Sequence, residues 1–173
     1  VDAVQWANPS GGPLQAGALV SALAYAPGRK GVLYAGTDQG TVYVRATAGT
    51  PFTLRSAGLP AGSAITGISV DPRDSGHAWC TVSGTGTPHV FRTTDAGASW
   101  TDISSGLPDL PAYSIVIDDK SRVLYLATFQ GVFASTNDGA SWTRFGVGLP
   151  NVLSFDLVLD EGSYESWDTP DRK

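Results

Sequence analysis

An all-β fold assembled from repeated four-stranded antiparallel units is predicted by three features of this 173-residue sequence. A nine-residue stretch occurs twice, as Arg-Thr-Thr-Asp-Ala-Gly-Ala-Ser-Trp at 92–100 and Ala-Ser-Thr-Asn-Asp-Gly-Ala-Ser-Trp at 134–142. Each copy reads as a strand, a polar turn closed by Gly and a second strand opened by Trp, which is the pattern of a β-hairpin. The tripeptide Gly-Leu-Pro recurs at 58–60, 106–108 and 148–150, so the hairpins sit inside a longer repeat. Around them, 21 Gly and 11 Pro punctuate short runs rich in Val, Thr and aromatics, and no stretch reads as a helix.

Taken in order, residues 1–17 hold one short apolar piece at 4–6, ending in Trp6, then a loop of Asn, Pro, Ser and Gly. Trp6 stands 46 positions before Phe52, Phe52 stands 48 before Trp100, and Trp100 stands 42 before Trp142. That spacing makes Trp6 the opening of an outer strand that belongs to a preceding unit. The first whole unit is 18–60, with strands predicted at 19–25, 32–37, 41–45 and 52–55; Thr47 and Phe52 occupy the places of the Asp and Trp of the repeated turn. The second, 61–108, gives strands at 65–70, 78–82, 89–92 and 100–103. The third, 109–150, gives 113–117, 123–127, 131–135 and 142–145. Residues 151–173 repeat a first-strand pattern at 152–159 and end in an acidic tail that carries both glutamates.

Four strands per unit, three times over, is the plan of β-propeller blades. The first strand of each unit is nearly continuously apolar, as expected of an innermost strand covered on both faces. A chain that supplies a last strand, three blades and a first strand leaves unpaired edges and unburied blade faces at both ends. Two expectations follow: further blades are supplied elsewhere, or two copies associate to close a ring.

The pattern Ser/Thr-x-Asp-x-Gly-x-Ser/Thr-Trp resembles the Asp box of the bacterial-neuraminidase-repeat β-propellers, which include sialidases, sortilin-type receptors and xyloglucan-hydrolysing glycosidases. Thr93, Asp95, Gly97, Ser99 and Trp100 fill it completely. Ser135, Asn137, Gly139, Ser141 and Trp142 fill it with Asn in place of Asp. In those families the box is a structural device. The residues agree: a turn Asp accepts backbone N–H bonds, Gly97 and Gly139 permit positive φ, and a Trp wedges between sheets. The resemblance implies a secreted or periplasmic protein.

Composition narrows the function. Net charge is −5 and the basic residues are scattered, which gives no footprint for nucleic acid. No apolar run reaches the eighteen or so residues of a membrane span. The sequence starts at Val1 and contains no Met, as expected of a mature or excised segment. Cys80, the single cysteine, stands in an alternating strand pattern and reads as a buried structural thiol. His77 and His89 have no second pair of ligands at metal spacing, and no phosphate-binding glycine motif occurs, so no cofactor or metal is expected.

The blade plan places the turns between second and third strands, and the connections between blades, on one face. That face carries Asp38, Gln39, Ser83, Thr85, Thr87, Asp109, Tyr113, Gln130 and Asn151, a set of hydroxyls, amides and carboxylates suited to a glycan or protein ligand. The favoured reading is a non-catalytic glycan- or protein-binding scaffold. The alternative is part of a glycoside hydrolase, which needs two carboxyl groups about 5 to 10 Å apart. Asp38, in Tyr-Ala-Gly-Thr-Asp-Gln-Gly at 34–40, is similar to a Tyr-Ala-Arg-Thr-Asp-x-Gly neighbourhood of the xyloglucan-hydrolysing family, with Gly36 in place of the Arg. It is the one catalytic candidate. A sialidase is disfavoured, because its three convergent arginines and Tyr/Glu pair have no counterpart here.

Overall fold

The computed structural model describes residues 17–159 and is all-β there. Twelve strands form three antiparallel meanders. The first holds β1 (Val20–Tyr25), β2 (Leu33–Thr37), β3 (Val42–Arg45) and β4 (Thr53–Leu54). The second holds β5 (Ile65–Val70), β6 (Ala78–Val82), β7 (Val90–Thr93) and β8 (Thr101–Asp102). The third holds β9 (Ala112–Ile117), β10 (Leu124–Thr128), β11 (Gly131–Ser135) and β12 (Thr143–Arg144). The first strands β1, β5 and β9 lie side by side, so the three sheets are consecutive blades of a β-propeller.

A recurring irregularity at the first strand joins one blade to the next. Register slips between Val20 and Ala22, between Ile65 and Gly67, and opposite Ala127 and Thr128 leave Ser21, Thr66 and Tyr113 as the extra residues. A bulge re-aims the side chain it carries. Accordingly Ser21 Oγ donates to the Ile65 carbonyl at 2.7 Å and Thr66 Oγ1 donates to the Ala112 carbonyl at 2.7 Å, each in the next blade. Tyr113 packs edge-on against Phe155, 5.1 Å between ring centres.

The core runs between the sheets. Ile65, Val70, Ala78, Cys80, Phe91 and Trp100 of the second blade close over Tyr34, Val42 and Val44 of the first. Trp79, Val90 and Ile103 likewise meet Leu124, Leu126 and Trp142 of the third. The most buried strand is therefore the second of each blade: every residue of β6 is buried. This corrects the expectation for the first strands. Val20, Leu23 and Tyr25 of β1 are exposed, β5 is largely half-buried and β9 is divided evenly between buried and half-buried residues, because one face of these strands lines an open groove rather than a packed centre.

Residues 152–159 also depart from expectation. They form no strand, yet they run beside the third blade through Ser154 N–H to the Thr128 carbonyl (3.1 Å) and Leu157 N–H to Ser114 Oγ (3.3 Å). The predicted outer strand at Trp6 and the acidic tail lie outside the described residues.

Candidate functional site

The turns between second and third strands do gather with the connections between blades. Gly62 N–H donates to the Gln39 carbonyl at 3.0 Å, and Asp109 reaches back to the loop between β6 and β7. The two candidate carboxylates on this face, Asp38 and Asp109, are engaged in holding it together. Asp38 accepts from the Leu19 amide at 2.9 Å while its own N–H donates to the Leu19 carbonyl at 3.0 Å. Asp109 accepts from the Gly86 amide at 2.7 Å and lies 3.0 Å from the buried His89 Nε2. The hydrogen bonds of the two carboxylates thus run to their own surroundings and not to a shared centre. The Gln130 carbonyl accepts from Arg144 Nη2 at 2.9 Å, and Thr85, Gln130 and Asn151 are exposed.

Between the first strands lies a groove of about 390 Å³, lined by polar Thr66, Ser114 and Asp156 beside Leu23, Tyr113 and Phe155. Ser114 Oγ donates to Asp156 Oδ1 at 3.0 Å, and Phe155 is 65% exposed. Hydroxyl groups, one carboxylate and an open aromatic ring can hold an extended chain that presents both polar and apolar groups. Residues 154–157 already lie on β9 in that manner.

The opposite face carries the repeated turns. Asp95 accepts from the Ser99 hydroxyl (2.6 Å), the Ser99 amide (2.9 Å) and the Thr93 hydroxyl (2.7 Å). The Ser99 bonds come first in holding its carboxyl down to about 2. Asn137 makes the same set: its Oδ1 accepts from Ser135 Oγ and Ser141 N, and its Nδ2 donates to Ser141 Oγ. Two successive left-handed residues shape each turn, Ala96 with Gly97 (φ 56° and 79°) and Asp138 with Gly139 (φ 58° and 84°). A Cβ on Gly139 would come within 2.3 Å of Ile103 Cδ1 in the second blade, so glycine is required for close approach as well as for φ. The Trp that follows each turn crosses to the preceding blade: Trp100 Nε1 donates to the Arg55 carbonyl and Trp142 Nε1 to the Ile103 carbonyl, both at 2.8 Å. In the first blade Phe52 stands in this place, buried with Ala35 and Tyr43, with the Arg45 guanidinium 5.6 Å from its ring centre.

One polar cluster was not singled out from the sequence. Between the second and third blades, Asp138 accepts from Trp79 Nε1 (3.0 Å) and Arg92 Nη1 (2.6 Å), and His77 Nε2 approaches it to 3.3 Å. His77 Nδ1 lies 3.5 Å from Asp71, which is buried and paired with Arg122. Burial alone would raise the Asp71 pKa; the bonds from Arg122 and the Arg73 amide outweigh it and hold the carboxyl below its ordinary value. These six residues come from five separate strands or turns, and only their three-dimensional pairing unites them. Cys80 is fully buried, which pushes its thiol well up.

The outer face of the third blade is different in kind. Tyr125, Val132, Phe145, Leu149 and Val158 line an apolar hollow of about 360 Å³, and most of them are exposed.

No protein-family model matches this sequence, and no curated protein does. Solved structures do resemble the fold. A GH74 xyloglucanase from Xanthomonas campestris is 20% identical, with a TM-score of 0.61 over 74% of this chain and 21% of its own. YCF48 from Cyanidioschyzon merolae is 18% identical, with a TM-score of 0.58 over 76% of this chain and 38% of its own. A chain of a nidogen/laminin complex is 18% identical, with a TM-score of 0.56 over 73% of this chain and 47% of its own. The chain thus spans between about a fifth and a half of the length of these proteins, and at such identities the likeness is one of fold.

Proposed function

We propose that this chain is a non-catalytic, extracytoplasmic propeller segment of the Asp-box type that acts as a protein-binding scaffold. The observation that carries the reading is the outer face of the third blade, where Tyr125, Val132, Phe145, Leu149 and Val158 form one contiguous apolar surface. Apolar patches of this kind mark protein association sites more than sugar sites, which combine aromatic faces with many polar groups. The nidogen/laminin neighbour is a propeller solved with a protein partner, which is compatible with this use of the fold. The Asp-box assignment is supported by the two turns, whose Asp95 and Asn137 bond their own backbone and whose Trp residues bridge blades.

A glycoside hydrolase is the second reading, favoured by the likeness to the GH74 xyloglucanase. Against it stands the engagement of Asp38 with the Leu19 amide, which gives that carboxylate a structural task. Incubation with xyloglucan and measurement of released reducing ends separates the two. No release is expected from the wild type. Release that disappears in Asp38→Asn would overturn the non-catalytic reading.

A further inference from the structure

Where the second blade meets the third, a histidine stands between two carboxylates. His77 ends the turn between β5 and β6, with its N–H donating to the Asp74 carbonyl and its carbonyl accepting from the Asp71 amide, both at 2.9 Å. Its ring lies tilted on Trp79, 4.4 Å between ring centres, and its side chain is 18% exposed. From that position Nδ1 faces Asp71 Oδ2 at 3.5 Å, in its own turn. Nε2 faces Asp138 Oδ1 at 3.3 Å, in the turn between β11 and β12 of the third blade. These are ion-pair approaches rather than hydrogen bonds, and Nε2 is a buried nitrogen with no hydrogen-bond partner among the described residues.

Neither carboxylate is free to turn away. Asp71 accepts from the Arg73 amide at 2.9 Å and is paired with Arg122. Asp138 is held by Trp79 Nε1 at 3.0 Å and Arg92 Nη1 at 2.6 Å. A neutral imidazole has one N–H and can serve only one of the two acids; its other nitrogen is then an acceptor that faces an acceptor. An imidazolium has two N–H groups, one for each side. The other histidine, His89, meets a single carboxylate, Asp109, for which one N–H suffices.

The charges carried by the elements around the ring lean the same way. Asp71, Arg73 and Asp74 lie in its own turn, Arg92 on β7 and Asp95 in the turn after it. Asp118, Asp119, Lys120 and Arg122 lie in the turn between β9 and β10, and Asp138 in that between β11 and β12. Six carboxylates thus stand against four cations, an excess of negative charge that favours a proton on His77.

We propose that His77 is a proton-operated clasp between the second and third blades. As pH falls through the range in which histidines take up a proton, about pH 8 to 5, the ring gains its second N–H, bridges Asp71 to Asp138 and tightens the joint. One proton passes from water to the ring nitrogen that lacked it, and no other bond is made or broken. The stability contributed by the clasp is present at the acid side of that window and lost as pH rises through it. It holds whatever the protein binds.

Thermal melts of the full chain and of His77→Gln between pH 5 and 8 test it, since Gln keeps hydrogen-bonding groups but cannot take up the proton. The wild type should melt about 4 °C above the variant at pH 5.5, and the gap should shrink to about 1 °C at pH 8. Asp138→Asn, which keeps an acceptor for Trp79 but loses the charge, should remove about half of the pH-dependent part. A gap that is the same at both pH values makes His77 a structural residue only and overturns the inference. Nitrogen NMR of the wild type reads the clasp without any variant: His77, recognised by its contact with Trp79, should carry slowly exchanging protons on both ring nitrogens at pH 5.5. A ring that still holds one proton there overturns the inference as well.

Discussion

Trp142 donates its indole N–H to the carbonyl oxygen of Ile103, 2.8 Å away in the neighbouring blade, and both residues are buried. A large ring fills the space between two sheets while its one polar atom satisfies a carbonyl that would otherwise be buried unpaired. The same bond between Trp100 and Arg55 makes it the repeating fastener of the fold.

Removing the fastener separates its two parts. Trp142→Ala should cost about 3–5 kcal/mol, the range for deleting a large buried aromatic. Trp142→Phe keeps most of the apolar contact but strands the Ile103 carbonyl, which should cost about 2 kcal/mol. Urea denaturation of both variants checks the order, and equal losses would show that the hydrogen bond contributes nothing.

The repeated turn predicts an acid dependence. Asp95 has a folded-state pKa depressed to about 2, against about 3.9 in an unfolded chain. A depressed carboxyl contributes stability that is present above pH 4 and lost as pH falls toward 2. Asn137 makes the equivalent bonds without a charge, so Asp95→Asn should fold normally and show a shallower loss of stability across that window. Thermal melts of wild type and variant between pH 2 and 5 read the difference.

The buried Asp71 and the half-exposed Arg122 join the second and third blades. Arg122→Ala leaves the buried Asp71 carboxylate with the Arg73 amide and His77 but without its guanidinium, and should destabilise by about 1–3 kcal/mol. The double replacement Asp71→Asn with Arg122→Ala should recover part of that loss, because no charge is then stranded. Chemical denaturation of the cycle measures the coupling.

Cys80 predicts inertness. Its full burial favours the thiol over the reactive thiolate. The native protein should react with a thiol-labelling reagent only at its unfolding rate, and rapid labelling at neutral pH would place the sulfur nearer the surface than the sheets allow.

Much of this fold was legible in the sequence, because each device that makes a blade is local. Alternating runs bounded by Gly and Pro put all twelve strands within a residue or so of their positions, and the Gly-x-Ser-Trp ending marked both tight turns. What is not local was harder to read. The apolar pattern of β1 looks the same whether its outer face meets a packed core or an open groove, so Leu23 and Tyr25 were expected to be covered. The sequence placed Asp38 and Asp109 in turns of the ligand face, but a turn Asp gives no hint of which backbone amide it caps across the fold. The cluster around Asp138 had no signal beyond an extra acid beside Asn137, since its partners His77, Trp79 and Arg92 stand about 46 to 61 residues away.

The release of reducing ends from xyloglucan by the full chain is the most direct test of the central claim, that this segment is a non-catalytic scaffold whose Asp38 has a structural task. The account predicts no release from the wild type or from Asp38→Asn. Release by the wild type that disappears in Asp38→Asn would contradict it.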